Sequence, residues 1–171
     1  MPNVARPFGL IFVFALLLLS ANFASAEQLW NKVQYGMSPT EVLRAVPGSK
    51  PLARNSRSTS EAQAAVEIES YPFAGGTFNV TFIFSLDRLT QIHLHDTLSM
   101  RENEATRNAF ERVSAALRQT YGEESSRKLE ARSSGLYGEA EWLKGESKID
   151  VTVVPVTQLH SAILINFFKL K

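Results

Sequence analysis

His93 and His95 are the residues whose type and spacing come nearest to doing chemistry. Side chains two apart on a strand leave from the same face. An extended Leu89–Asp96 segment therefore sets both imidazoles side by side, opposite Ile92 and Leu94, as half of a zinc or copper site. Asp96 falls on the other face. A metal centre needs at least a third ligand, and the candidates are His160, Glu139 and Glu141, none of them spaced by a motif. The plainer reading is two histidines on a sheet surface. No metal or cofactor is assigned, and a small-ligand or metal-binding protein centred on His93 and His95 is the alternative to the reading developed below.

Other chemistries have less to stand on. The chain has no G-x-S-x-G turn around a serine, no H-E-x-x-H and no phosphate-binding G-x-x-x-x-G-K-[ST]. Cysteine is absent, which removes thiol nucleophiles, thiolate metal ligands and disulfides. Glu139 and Glu141 fall on one face of one strand pattern and read as solvent decoration rather than as an acid and base across a glycosidic bond. Gly75-Gly76 reads as a turn. No catalytic residue follows, and the chain is expected not to be an enzyme.

The two histidines depend on the surest hairpin in the chain. Thr77–Ser85 alternates cleanly, with Phe78, Val80, Phe82 and Phe84 on one side and Asn79, Thr81, Ile83 and Ser85 on the other. Leu86-Asp87-Arg88 is a tight connection, so Leu89–Asp96 returns antiparallel. Asn79, Thr81, Gln91, His93 and His95 then share one face, and these five are the residues expected to contact a partner.

Upstream, Ser38 is an N-cap, Pro39 fits the first helical position, and Glu41 is placed to bond back to the Ser38 amide. Pro47-Gly48 stops that helix after about two turns. Ser49–Glu61 is rich in serine and arginine and reads as a loop, followed by a strand near Ala64–Tyr71. The order then repeats. Ser99, with Glu102 three residues on, opens a second helix whose stripe is Ala105, Ala109, Phe110, Val113, Ala116, Leu117 and Tyr121, with Gly122 as its stop. A charged loop, Glu123–Ser134, precedes extended runs over Leu136–Lys144, Ile149–Val154 and Ala162–Leu170.

The expected fold class is α+β: two tandem α-β-β-β units with an antiparallel sheet, helices packed on one face, the units covering 27–98 and 99–171 within one compact domain. Trp142 alternates with Ala140 and belongs to the core. The last strand is apolar on both sides, Ile163, Ile165 and Phe167 against Leu164, Phe168 and Leu170, and is expected to be central and covered on both faces, the alternative being an apolar patch that awaits a partner. Lys50, Arg54 and Arg57 in the first loop, and Arg127, Lys128 and Arg132 in the second, offer a basic contact set. Equivalent places in the two units bring the loops close together.

At the N-terminus, Arg6 precedes the apolar run Leu10–Leu19, and Ala24-Ser25-Ala26 supplies small residues for cleavage before Glu27. Residues 1–26 are thus expected to be a signal peptide. The apolar run falls short of the roughly 20 residues of a spanning helix, so no stable membrane anchor is expected after cleavage. Of 18 basic residues the signal holds Arg6, which leaves 17 against 17 acidic ones. That balance, together with export, argues against nucleic acid. The expected location is periplasmic or secreted, and the expected partner is another envelope or secreted protein.

The stretch Trp30-Asn31-Lys32-Val33-Gln34-Tyr35-Gly36-Met37-Ser38-Pro39-Thr40-Glu41-Val42, with a hairpin carrying Phe82-x-Phe84 and Leu89 downstream, resembles exported bacterial proteins of the β-lactamase-inhibitor-protein-like superfamily. As an order of elements the resemblance covers most of the mature chain; residue by residue it is carried by Gly36–Val42. It implies tandem helix-plus-sheet units that bind another protein, as inhibitors or scaffold components, through an open sheet face. It implies no catalytic residues. The lack of cysteine departs both from the inhibitors and from the lipid-anchored assembly component of that group, so no particular partner and no contact residue carries over.

Overall fold

The computed structural model describes residues 28–30, 32–52, 63–98 and 100–170. The expected signal peptide and its cut before Glu27, Arg54 and Arg57 of the first loop, and the Ser99 cap lie outside these residues. In chain order the elements are β1 (Gln28–Trp30), β2 (Val33–Gln34), α1 (Pro39–Ala45), β3 (Lys50–Pro51), β4 (Gln63–Phe73), β5 (Gly76–Ser85), β6 (Arg88–Asp96), β7 (Arg101–Glu102), α2 (Asn103–Tyr121), β8 (Ser126–Arg132), β9 (Gly135–Lys144), β10 (Ser147–Pro155) and β11 (His160–Lys169).

The local signals around α1 act as written. Ser38 Oγ accepts from the Glu41 amide at 3.4 Å while Glu41 Oε2 accepts from the Ser38 amide at 2.7 Å, and Pro39 opens the helix. The bonds from Ser38 hold the Glu41 carboxyl below its usual range. The segment before the cap is pinned to the sheet, because the Gly36 amide donates to the Leu89 carbonyl at 2.9 Å and the Leu89 amide to Met37 at 2.8 Å. Gly36 takes φ +84° to make that turn.

Two-residue turns set every hairpin of the main sheet from β4 on except β10–β11, whose link has four residues. Leu86 and Asp87 stand at φ +49° and +57°, the mirror-image turn whose twist suits antiparallel strands. The main sheet then runs β3-β4-β5-β6-β11-β10-β9-β8, with β7 also pairing β11, and every pair is antiparallel. β6 meets β11 through Ile92↔Phe167 and Leu94↔Ile165. One alternating set of side chains is buried on each long strand, including Val80, Phe82, Leu94, Trp142, Val151 and Ile165. Val42 of α1 and Ala109, Phe110, Val113 and Leu117 of α2 belong to the same core. Trp142 is buried as expected, and its indole N–H donates to the Gly122 carbonyl at 2.9 Å, tying β9 to the end of α2. Among the described residues no helix is long and apolar enough to cross a membrane.

Where the sequence reading fails, long-range pairing is the cause. The second charged segment is not a loop: Ser126–Arg132 forms β8, the outer strand of the sheet. An edge strand meets water on one side and carries charge to discourage further pairing, so its residues need no clean apolar alternation. Lys50 is not a neighbour of Arg127, Lys128 and Arg132, since β3 and β8 lie at opposite ends of the strand order. They are also already engaged, Lys50 with Glu69 and Glu67, Arg127 with Glu111, and both Lys128 and Arg132 with Glu130.

The second helix begins at Asn103. Glu102 is its N-cap and makes no side-chain cap bond, because Arg101 and Glu102 pair with Ser161 and His160 of β11. Arg101 is held there by Asp96, with Nε at 2.5 Å from Oδ2 and Nη2 at 3.0 Å from Oδ1. β11 is central, yet only one of its sides is closed: Ile163, Ile165 and Phe167 are buried, Leu164 and Phe168 half-buried, and Leu170 exposed.

Candidate functional site

The side of the sheet away from the buried set is ordered by register into cross-strand rows. The middle row runs Lys50, Glu67, Thr81, His93, Asn166, Asp150, Glu141 and Ser126. One flanking row is Asn79, His95, Leu164, Thr152, Glu139 and Lys128, and the other is Ile83, Gln91, Phe168, Lys148 and Leu143. All five residues expected from the sequence therefore lie together on this second face, on β5 and β6. Asn79 has a local duty as well, since its Oδ1 accepts from the Ser70 amide at 3.2 Å beside the irregularity in β4.

His93 sits at the centre, half-buried. Its Nε2 is 3.0 Å from Gln91 Oε1, and an amide oxygen can only accept, so Nε2 carries the proton and Nδ1 the lone pair. Its ring stands edge-on to Phe168 at 6.2 Å between centroids. Burial pushes the His93 pKa below its ordinary value; Asp150 opposes that shift and His95 adds to it.

Around this centre the polar groups are already matched to one another. Asp150 Oδ2 accepts from Asn166 Nδ2 at 2.8 Å and from Thr152 Oγ1 at 3.3 Å. Lys148 is ion-paired with Glu141, which raises the Lys148 pKa. Glu139 accepts from Tyr137 Oη at 3.1 Å and thereby raises the Tyr137 pKa.

The possible third metal ligands do not gather here. His160 lies four residues along β11 from the partner of His95, roughly 13 Å at the rise of a strand, and its Nδ1 is 3.1 Å from Thr157 Oγ1. Glu139 shares a row with His95 but is three strands over, about 14 Å away. Among the described residues, no three His, Cys, Asp or Glu side chains come together as a metal site.

The hairpin residues are legible from alternation, and Phe168 from the apolar pattern of the last strand, whereas Asn166, Asp150 and Thr152 carry no signal of their own. Their own strands alternate well enough to assign each a side. What the sequence lacks is any sign that β6 pairs β11 with His93 level with Asn166. Comparison of the chain with known protein families, with curated proteins and with solved structures finds no match.

Proposed function

We propose that this chain is an exported, non-catalytic binding module that receives another envelope or secreted protein on the second face of its sheet, with Asn79, Thr81, Gln91, His93 and His95 in the contact. The observation that carries this reading is the layout of that face. Half-buried Ile83, Leu164 and Phe168 stand among Thr81, Gln91, His93 and Asn166 at the middle, Asp150 and Lys148 follow one strand on from β11, and further charged residues stand toward both edges, Lys50 with Glu67 at one and Glu139, Lys128 and Glu130 at the other. Apolar side chains interspersed with hydrogen-bonding ones, with charge outward, make a surface of the kind protein–protein contacts use. Export rests on Arg6, the apolar run after it and Ala24-Ser25-Ala26.

We also propose that residues 27–98 and 99–171 are tandem units descended from one, with both helices on the core side of the sheet. Support comes from the mirrored strand order, β3-β4-β5-β6 set against β11-β10-β9-β8, in which the last strand of each half meets at the middle. Each half carries four sheet strands after its helix rather than the three expected, β3 to β6 after α1 and β8 to β11 after α2.

The test is the double variant His93→Asp with Thr81→Arg. These positions face each other across β5 and β6, so the new charges offset one another and little stability should be lost. A protein captured by Glu27–Lys171 from envelope extract is purified and titrated calorimetrically against both forms. Affinity should fall at least about tenfold, or 1.4 kcal/mol, in the variant, with its melting temperature within a few degrees of the parent. A variant that binds with undiminished affinity refutes the assignment of the face.

A further inference from the structure

The two edges of the main sheet are finished differently. At one, β4 carries Pro72 and two irregularities, between Ala64 and Val66 and between Ile68 and Tyr71, and part of it is covered by the short β3 with its own Pro51. Prolines, bulges and a short cover strand keep a sheet edge from pairing further. At the other edge β8 has none of these. Its seven residues, Ser126–Arg132, match β9 one for one without a shift in register, and five of the seven are exposed. Among the described residues no strand lies beyond it. Alternate amides and carbonyls of β8 therefore point away from β9, toward the place another strand would occupy.

We propose that β8 pairs antiparallel with β8 of a second copy of this chain, about a two-fold axis at Leu129, and joins the two sheets into one. A contact between identical patches must be its own complement, and the charges of this strand are. The antiparallel register that uses all seven residues sets Lys128 of each copy opposite Glu130 of the other. Arg127 then meets Ala131, Ser126 meets Arg132, and the two Leu129 side chains meet at the axis. Side chains directly opposed in this way have Cβ atoms about 4.5–5.5 Å apart, within reach of a lysine and a carboxylate. Moving the axis by one residue sets Lys128 against Lys128, or Glu130 against Glu130 with Lys128 against Arg132, and like charges directly opposite destabilise the pair. Moving it by two pairs only three residues of β8. Charge on this edge thus rejects the other registers and admits one.

The two sides of the strand agree with this arrangement. Lys128 and Glu130 lie on the second face, where Glu130 holds Lys128 and Arg132 of its own chain. Their side chains are 57% and 35% exposed, so both can turn to the other copy. Leu129 lies on the core side, half-buried against the apolar cluster. Gly138 of β9 makes room for it, since a Cβ there would stand 2.6 Å from Leu129 Cδ1. What remains open of Leu129 is what the second Leu129 covers. Main-chain hydrogen bonds along the joined edges supply the affinity, and the opposed charges fix the register. Seven residues a side make a small contact, so association belongs to high protein concentration. The two-fold axis stands perpendicular to the sheet, which leaves both second faces looking the same way. The pairing does not rest on the contact function proposed above.

The experiment is sedimentation velocity of the chain, expressed from its full coding sequence and purified as the cell processes it, over a range of about 5 to 500 μM. The parent should pass from monomer to dimer as concentration rises. Lys128→Glu alone opposes carboxylates at both pairs and Glu130→Lys alone opposes ammonium groups, so each should weaken self-association at least about tenfold. Mixed in equal amounts, the two variants restore opposite charges at both pairs and should associate with each other as the parent does with itself. The doubly exchanged chain, Lys128→Glu with Glu130→Lys, keeps opposite charges in register and should dimerise like the parent. Thermal melts should stay within a few degrees of the parent, because the exchanged charges are open to water. A parent that stays monomeric throughout overturns the proposal. So does a dimer undiminished in both single variants, or a mixture and a doubly exchanged chain that remain monomeric.

Discussion

Removing the guanidinium that grips Asp96 should expose how the crossover between the two halves is held. The Asp96 side chain is 3% exposed and Arg101 is 22% exposed. The carboxylate takes two bonds from Arg101 and one from the Leu98 amide at 3.0 Å, all within the short link from β6 to β7. Arg101→Met keeps the aliphatic reach and leaves a buried carboxylate with a single N–H. Breaking a buried pair in this way costs about 3–5 kcal/mol, and water reaching the partly open Arg101 side reduces the expectation to roughly 2–3 kcal/mol. With a urea slope of about 2 kcal/mol/M, the midpoint followed by tryptophan fluorescence should drop by about 1–1.5 M. Adding Asp96→Leu removes the stranded charge and should restore about 2 kcal/mol, because an ion pair replaced whole by apolar groups costs little. A loss below about 1 kcal/mol in the single variant, or a double variant whose loss equals the sum of both singles, would refute this account of the crossover.

Gly135→Ala should lose about 3 kcal/mol in the same urea assay, since φ is +127° and a Cβ there would stand 2.5 Å from the Thr157 carbonyl oxygen and 2.9 Å from Pro155 Cβ; a loss under about 1 kcal/mol would mean the β9 start can shift away from the β10–β11 turn. Glu124 is held below its ordinary 4.5 chiefly by its bonds to the Arg118 guanidinium, with Arg127 adding to the effect. A depressed carboxyl stabilises the fold above the unfolded value and ceases to do so as pH falls through the folded one, so the stability gap between parent and Glu124→Gln should shrink on acidification below pH 4.5. A gap that is the same at acid and neutral pH would contradict the ion pair's part in tying α2 to β8.

What could be read from the chain and what could not divide by distance along it. Ser38, Pro39 and Glu41 cap α1 through groups three residues apart, and the Thr77–Asp96 hairpin is defined by its own alternation and a two-residue turn, so both are local facts. The start of the second helix is not local in this way: it follows Arg101 and Glu102, which pair with β11 while Arg101 also binds Asp96, and it begins at Asn103. β8 was unreadable for a different reason. Its Arg127 lies over the Phe110 ring at 5.2 Å and its Arg132 over Tyr137 at 3.8 Å, so charged side chains occupy places where an apolar pattern was sought.

The same distinction bears on the candidate site. Read from one hairpin, the face consists of five small or polar side chains on β5 and β6, with no apolar anchor beyond Ile83. The β6–β11 pairing sets Phe168 diagonally beside His93 and Leu164 opposite His95, and it is this pairing, remote in sequence, that supplies the apolar side chains a contact surface requires. A partner seated on His93 must therefore touch residues from both halves of the chain at once. Its binding would bridge the seam between β6 and β11, so the contact and the integrity of the sheet become linked, and a ligand of the native face would stabilise the protein by mass action where the two halves meet.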